Sequence, residues 1–193
     1  ALGVEALNKQ LQEKFNPPAP NKQEKESGGT IFRLGDKVMQ IKNNYQQEWK
    51  IYGVSKTGTG KGYVLDEGVG VFNGDMGVIT DISDYDEELT ILFDDGRESV
   101  YSYKELDQIE HAFAVTIHKS QGSEYPAVII PLLGGNRKLM NRNLIYTAIT
   151  RARQLVIIVG DVNLVNQMID NSEEQKRYTS LALRLEELNE SME

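Results

Sequence analysis

A chain of 193 residues, 39% of them hydrophobic, has room for one large domain or two small ones around a real core. It contains no cysteine, which excludes disulfides and thiolate metal sites and fits a reducing, cytoplasmic setting. The net charge of −8 argues against a surface built wholly for nucleic acid, and no apolar run approaches the ~18 residues of a membrane span, so no membrane contact is expected.

The charge is unevenly spread. Residues 34–108 hold seven basic against fifteen acidic side chains, whereas 109–171 hold six basic against four acidic. An anionic ligand is therefore compatible with the later segment and disfavoured by the middle one. The first residues carry no signal-type block. Ala1 in place of Met leads us to expect a cut inside a longer protein.

Residues 2–15 place Leu2, Ala6, Leu7 and Leu11 at helical spacing, with Phe15 beyond. Asn16-Pro17-Pro18 ends that helix, and 17–30, rich in Pro, Lys, Glu, Ser and Gly, reads as a linker. From Leu34 short strands follow one another with Gly and Asp turns, including the hairpin signal Asp94-Asp95-Gly96-Arg97. That grammar predicts a small antiparallel barrel over 34–108. Within it, 50–68 reads as a long hairpin tip.

After Leu106 the pattern changes. The runs at 112–117, 127–133 and 154–161 are almost continuously apolar, as in a parallel sheet buried on both faces. Between the last two, Leu144, Ala148 and Ala152 share one helical face, which predicts a right-handed strand–helix–strand crossover. Residues 162–170 add a short helix, and 179–190 an acidic amphipathic one. The expected fold class is α/β: an incomplete parallel-sheet domain split by an inserted antiparallel barrel. Its segments are a helix and linker at 1–33, the barrel at 34–108, the rest of the α/β domain at 109–171, and an acidic tail at 172–193.

Three stretches invite a chemical reading. Val54-Ser55-Lys56-Thr57-Gly58-Thr59-Gly60-Lys61-Gly62-Tyr63 imitates a phosphate loop but fails it. Ser55 stands where the first Gly belongs, and Gly62 where the Mg²⁺-binding Ser/Thr belongs. It reads as a barrel loop whose Lys56 and Lys61 are placed to brush DNA.

The second stretch holds Thr116, His118, Lys119 and Ser120, whose hydroxyl, imidazole and ammonium groups suit phosphate oxygens. It is expected at the C-terminal end of a buried strand, where open α/β sheets bind ligands. Gly122 lets a backbone approach closely, and Glu124 is suited to accept from a sugar hydroxyl. The alternative is a helix start with ordinary capping residues.

The third stretch ends in Arg151-Ala152-Arg153. Either arginine can cap a helix C-terminus, and a guanidinium there also suits the charge on a transferring phosphoryl group. With no cysteine and no carboxylate cluster near His111 or His118, no metal site is expected. Tyr45 and Trp49 are either base-stacking or packing aromatics.

Together these segments resemble superfamily 1 helicases. The stretch from Ala114 to Leu132 is similar to helicase motif V, and that from Leu144 to Asp161 to motif VI. Gly35-Asp36-Lys37-Val38 and Val71-Phe72-Asn73-Gly74 resemble the segments around the SH3-like 2B barrel of RecD-like helicases, the exodeoxyribonuclease V alpha-chain type. The resemblance covers about 2–165 and implies a second RecA-like domain in a bacterial enzyme of DNA recombination and repair.

It implies ATP and Mg²⁺ as cofactors of the complete enzyme and single-stranded DNA as partner. Arg151 matches the arginine that reaches the γ-phosphate. Glu124, with Gly122 beside it, matches the ribose-holding carboxylate. Thr116 and His118 match strand-contacting positions, as do Lys119 and Ser120. The chain shows no P-loop and nothing read as the Mg²⁺-binding acidic box. The resemblance thus implies an N-terminal RecA-like domain of the same protein as the other half of the ATP site, with this chain alone inactive and binding neither cofactor. The rival reading is a non-catalytic SH3-like module for a protein or nucleic-acid partner.

Overall fold

In a computed structural model of the protein, the described residues are 3–53, 62–134 and 139–171, with Ser180 and Arg184 beyond them. The chain begins with α1 (Val4–Phe15), where the periodicity put a helix. The face it buries is not the expected one. Asn8, Gln12 and Asn16, each one turn apart, are buried, whereas Phe15 is 71% exposed. Leu7 and Leu11 are only half-buried.

Part of the expected linker is a hairpin, β1 (Glu24–Ser27) with β2 (Thr30–Arg33). Gly28 and Gly29 sit between them with φ of 57° and 80°. Positive φ at both central residues gives a two-residue turn whose twist matches the strands, and glycine reaches it without strain.

Seven strands then build one antiparallel sheet: β3 (Lys37–Gln40), β4 (Asn44–Tyr52), β5 (Val64–Val71), β6 (Met76–Ser83), β7 (Glu88–Phe93), β8 (Glu98–Ser102) and β9 (Ile109–His111). Their spatial order is β5-β4-β8-β7-β6-β3-β9. A 3₁₀ turn, Tyr103–Gln108, opens with a capping box between Ser102 and Glu105 and leads into β9.

The alternation on β7 is regular, so Leu89, Ile91 and Phe93 all point into the core. On β6 the inward residues are Ile79 and Ile82, three apart rather than two. A register shift between Ile79 and Asp81 supplies the extra residue. Val71 on edge strand β5 and Ile109 on edge strand β9 belong to the same core, so the sheet curls on itself. The Asn44 amide, donating to Gln108 Oε1 at 3.0 Å, draws the two ends together. The β7–β8 turn forms as its sequence demands. Gly96 has φ 88°, and Phe93 N–H donates to the Arg97 carbonyl at 2.8 Å. The β4–β5 hairpin encloses 54–61, so the phosphate-loop mimic up to Lys61, with Lys56, lies outside the described residues.

Residues 112–117 do not form the expected strand; they run through bends and turns. The reason lies more than a hundred residues away in the chain. The Asn8 side chain donates to the carbonyls of His111 and Ala114 and accepts from Ala114 N–H. A side chain thus takes the bonds that a neighbouring strand would have made.

The second unit consists of β10 (Tyr125–Leu132), α2 (Arg142–Ile149), β11 (Ala152–Gly160) and α3 (Val162–Asp170). β10 and β11 pair in parallel with α2 between them in sequence, as the expected crossover requires. Helix α2 stops before Ala152, which belongs to β11 rather than to the helical face. Ile130, Leu132, Ile145, Ala148 and Met168 form its core.

The expectation of burial on both faces is corrected. Helices α2 and α3 cover one face, while on the other Ile129 is 65% and Leu155 51% exposed. Two strands with helices on one side have nothing among the described residues to cover the second face. The acidic helix expected at 179–190 lies outside the described residues apart from Ser180 and Arg184.

Candidate nucleotide and nucleic-acid site

The expected site residues fall on two stretches, and one strand register brings them together. Pairing of β10 with β11 starts at Tyr125 opposite Ala152, and Tyr125 N–H donates to the Arg151 carbonyl at 2.8 Å. Glu124 and Arg151 therefore meet where the two parallel strands begin. The site was expected at a strand's C-terminal end. It lies instead at the N-terminal ends of β10 and β11, because 112–117 is not a strand of their sheet.

The two arginines are held differently. Arg151, half-buried, donates from Nε to the Thr147 carbonyl at 3.2 Å, from Nη1 to the Ser123 carbonyl at 3.2 Å and from Nη2 to Thr150 Oγ1 at 3.3 Å. A guanidinium has five N–H donors, and these neutral contacts leave part of its fork and all of its charge unmatched among the described residues. Arg153 is exposed and spent on Glu124, Nε to Oε2 at 2.7 Å. The sequence left open which arginine caps the helix and which meets a ligand. In this geometry Arg151 does the bracing, yet it is also the one without a carboxylate partner among the described residues. The Glu124–Arg153 pairing left no signal in the sequence.

The 116–120 stretch is a compact turn. Thr116 Oγ1 accepts from Lys119 N–H at 3.2 Å, and the Thr116 carbonyl accepts from Ser120 N–H at 3.1 Å. Ser120 is buried, and its hydroxyl donates back to the Ile117 carbonyl at 2.8 Å. Lys119 pairs with Glu110 at 2.6 Å. Thr116 and His118 face solvent. The structure thus brings all four residues into one turn but turns Ser120 inward as its brace. Gly122 has φ 88°, and a Cβ there would meet nothing within 4 Å. Glycine is needed for the backbone conformation, not for space.

Between the start of β10, with Ser123 and Glu124 before it, and the curled sheet lies a groove of about 400 Å³, lined by Asp75, Asp94, Asp95, Arg97, Glu124 and Tyr125 among others. Its one guanidinium is engaged by Asp75 at 2.7 Å and Asp95 at 2.6 Å. Asp75, Asp94 and Asp95 around a neutralised arginine repel a polyphosphate, so the sheet side of this groove is not a phosphate site. Burial pushes the Tyr125 hydroxyl up from its ordinary value against a lowering hydrogen bond from Ser123, which keeps it neutral.

The remaining candidates separate. Trp49 is half-buried, with Arg97 over its ring at 5.7 Å, and is a packing residue. Tyr45 is 68% exposed and meets the Phe72 ring edge-on at 5.6 Å. The sequence reading passed over two features. Val64-Leu65-Asp66-Glu67 spells an apolar run ending in Asp-Glu, but it lies on antiparallel edge strand β5, where Glu67 is 3.9 Å from Lys50. His111 belongs to a buried polar cluster with Asp36, at 3.0 Å. Among the described residues no group of three or more His, Asp or Glu is arranged to hold a metal ion. No described helix is long and apolar enough to cross a membrane.

Comparison with known proteins adds the following. A family model described as the ATP-dependent RecD-like DNA helicase SH3 domain matches residues 7–93. A second, described as the UvrD-like helicase C-terminal domain, matches 111–159. The chain is 30% identical over 188 residues to the ATP-dependent RecD2 DNA helicase of Deinococcus radiodurans, covering 95% of this chain and 22% of that protein. It is 35% identical over 120 residues to the RecBCD enzyme subunit RecD of Mycolicibacterium smegmatis, covering 62% of this chain and 20% of that one. A solved structure of Bacteroides Pif1 helicase in complex with ADP-AlF3 and ssDNA aligns with a TM-score of 0.48 at 19% identity, over 97% of this chain and 43% of that one. The chain spans 12% to 24% of the length of the curated relatives it matches.

Proposed function

The chain belongs to the RecD-like superfamily 1 helicases, joining their SH3 domain to a UvrD-like helicase C-terminal domain, and we propose that it supplies the strand-contacting turn and the arginine finger of an ATP-driven DNA helicase. One observation carries this reading. The Tyr125–Ala152 register sets Glu124 beside Arg151, and Arg151 has a fork of donors with no carboxylate on it among the described residues.

The donor set fits a nucleotide in part. A planar guanidinium matches phosphate oxygens in charge and geometry, and Glu124 is a carboxylate suited to a ribose hydroxyl. Among the described residues no group of three or more His, Asp or Glu is arranged to hold a metal ion, and the sequence contains no P-loop. We therefore assign the P-loop and the Mg²⁺ ligands to an N-terminal RecA-like domain of the same protein. ATP hydrolysis there supplies the free energy of translocation. Arg151 neutralises developing charge once it leaves the Ser123 and Thr147 carbonyls, and Thr116, His118 and Lys119 present donors to the strand backbone. The apolar face of β10 and β11 that no described residue covers supports this reading, since contiguous exposed apolar surface often marks an interaction site.

The curled sheet has a different character. On the described residues of β4, β5 and β8 there are four acidic side chains, Glu48, Asp66, Glu67 and Glu98, and one basic, Lys50. That balance favours a basic protein partner over salt-driven DNA binding by this sheet.

Titration of labelled single-stranded DNA with the 193-residue chain tests the strand half of the proposal. Salt-sensitive binding that Thr116→Ala with His118→Ala weakens is the expected result. Binding that is absent, or indifferent to both substitutions, sinks it.

A further inference from the structure

One polar helix face grips both crossings between the curled sheet and the rest of the chain. The chain enters the sheet through residues 31–36 and leaves it through 109–114. On the entry side, Gln12 Nε2 donates to the Ile31 carbonyl at 2.9 Å, and Asn16 Nδ2 to the Leu34 carbonyl at 3.1 Å. On the exit side, Asn8 Nδ2 donates to His111 O at 3.1 Å and Ala114 O at 2.9 Å, while Ala114 N–H donates to Asn8 Oδ1 at 2.7 Å.

Asp36 ties entry to exit. It is fully buried, and its carboxylate receives Gln12 Nε2 at 2.6 Å, Asn16 Nδ2 at 2.7 Å, Arg33 N–H at 2.7 Å and His111 Nε2 at 3.0 Å. Three of the four donors converge on Oδ2, and Asn16 alone reaches Oδ1. Both N–H groups of Gln12 are spent on Ile31 and Asp36. Its 3.3 Å approach to His111 Nε2 is therefore not a hydrogen bond, and that ring nitrogen carries the proton given to Asp36.

An apolar face would have packed this helix with less desolvation. What amides add is direction: an apolar contact tolerates sliding, whereas these bonds hold both crossings at one angle and one register. Ala114, the last residue gripped, stands two positions before Thr116. A separate contact, the Tyr125 hydroxyl on Met76 Sδ at 3.7 Å, joins the sheet to the other end of the same stretch.

We propose that Asn8 and Asp36 are positioning residues for strand binding: through His111 and Ala114 they fix where the 116–120 turn stands relative to the sheet. This rests on the reading of that turn as a strand contact. The test is DNA-stimulated ATP turnover of the whole helicase against strand concentration.

Asn8→Leu, which leaves Ala114 N–H unpaired, raises the half-saturating strand concentration roughly tenfold, with turnover at saturating strand and nucleotide affinity unchanged. His111→Leu moves half-saturation in the same direction. His111→Gln, whose amide N–H replaces the Nε2 proton toward Asp36, restores the parent value. Lower saturated turnover at unchanged half-saturation overturns the proposal, and so does an equal response of His111→Leu and His111→Gln.

Should Asn8→Leu lose its melting transition, the His111 pair decides. The Thr116→Ala, His118→Ala double variant is the reference. If it leaves half-saturation unmoved, the turn is no strand contact and the positioning proposal falls with that reading. If it moves half-saturation while Asn8→Leu and His111→Leu do not, the strand reading stands and the positioning role alone is refuted.

Discussion

The β10–α2–β11–α3 unit has the more continuously apolar strands, yet only the curled sheet closes over its apolar side chains. Leu89, Ile91 and Tyr101 are 0% exposed, while on β10 and β11 Ile129 is 65% and Val159 51% exposed. Hydrophobicity is not the difference; coverage is. A curled antiparallel sheet covers its own inner face, whereas a parallel pair needs a layer on each side and has one among the described residues. The expected division of labour follows. The first unit holds its shape through its own core, and the second offers surface and the groups placed at its rim.

The largest expected effect lies at that rim. Arg151→Ala in the whole helicase should lower ATP turnover by ~10³–10⁵, the usual contribution of an arginine finger, with strand affinity kept. Steady-state ATPase assays beside fluorescence anisotropy check it. Equal loss of turnover and strand affinity would mean that Arg151 only braces the Thr147 and Ser123 carbonyls.

The contrast in coverage is itself measurable by urea unfolding. Ile91→Ala, in the closed core, should cost about 2–5 kcal/mol. Ile157→Ala, on a residue 41% exposed, should stay near about 0.5 kcal/mol, as surface substitutions do. Comparable losses at the two sites would erase the distinction between the units.

Legibility in the sequence followed the same divide between local rules and long-range partners. The Asp94-Asp95-Gly96-Arg97 hairpin, helix α3 and the β10–α2–β11 order were readable because turn chemistry and the 3.6-residue period are local. Helix α1 was located correctly, but its buried face was not. Amides at positions 8, 12 and 16 look solvent-facing until Asp36, His111 and Ala114 arrive from far along the chain. Residues 112–117 read as a strand because they are apolar, and no sequence rule announces that Asn8 will satisfy their backbone. Gly28-Gly29 did signal a turn, masked by the charged residues around it. At the candidate site, the two motifs suggested a role for Glu124 and one for Arg151 separately, whereas the strand register that brings them near, the Glu124–Arg153 pairing and the inward turn of Ser120 depend on geometry alone.

Two tyrosines give the closed sheet a strong pH signature, to which Tyr125 of the second unit adds in the same direction. Burial pushes the Tyr101 hydroxyl far up, and burial with the Asp84 hydrogen bond pushes Tyr103 up to about 12. A folded-state value above the unfolded value of about 10 contributes stability that is whole below pH 10 and drains away as pH climbs toward about 12. Unfolding midpoints should therefore fall over that window. Tyr101→Phe should flatten the fall. At neutral pH it should cost about 1–3 kcal/mol, because the buried Gln40 Oε1 loses the donor it has at 3.0 Å. An unchanged alkaline slope in Tyr101→Phe would remove this residue as its source.

The smallest expected effect sharpens the largest. Arg153 and Glu124 form an ion pair at 2.7 Å with both side chains more than half exposed. Such pairs contribute between about 0.2 and 1 kcal/mol to stability, so Arg153→Ala should barely move the urea midpoint. Its value is as a control two residues from Arg151 on the same turn. If Arg151→Ala stops turnover while Arg153→Ala leaves it standing, the catalytic charge belongs to the arginine held by neutral oxygens rather than to the one already neutralised by a carboxylate. A loss of turnover in Arg153→Ala as deep as in Arg151→Ala would show that Glu124 must be held in place, and would move the assignment from one guanidinium to the pair.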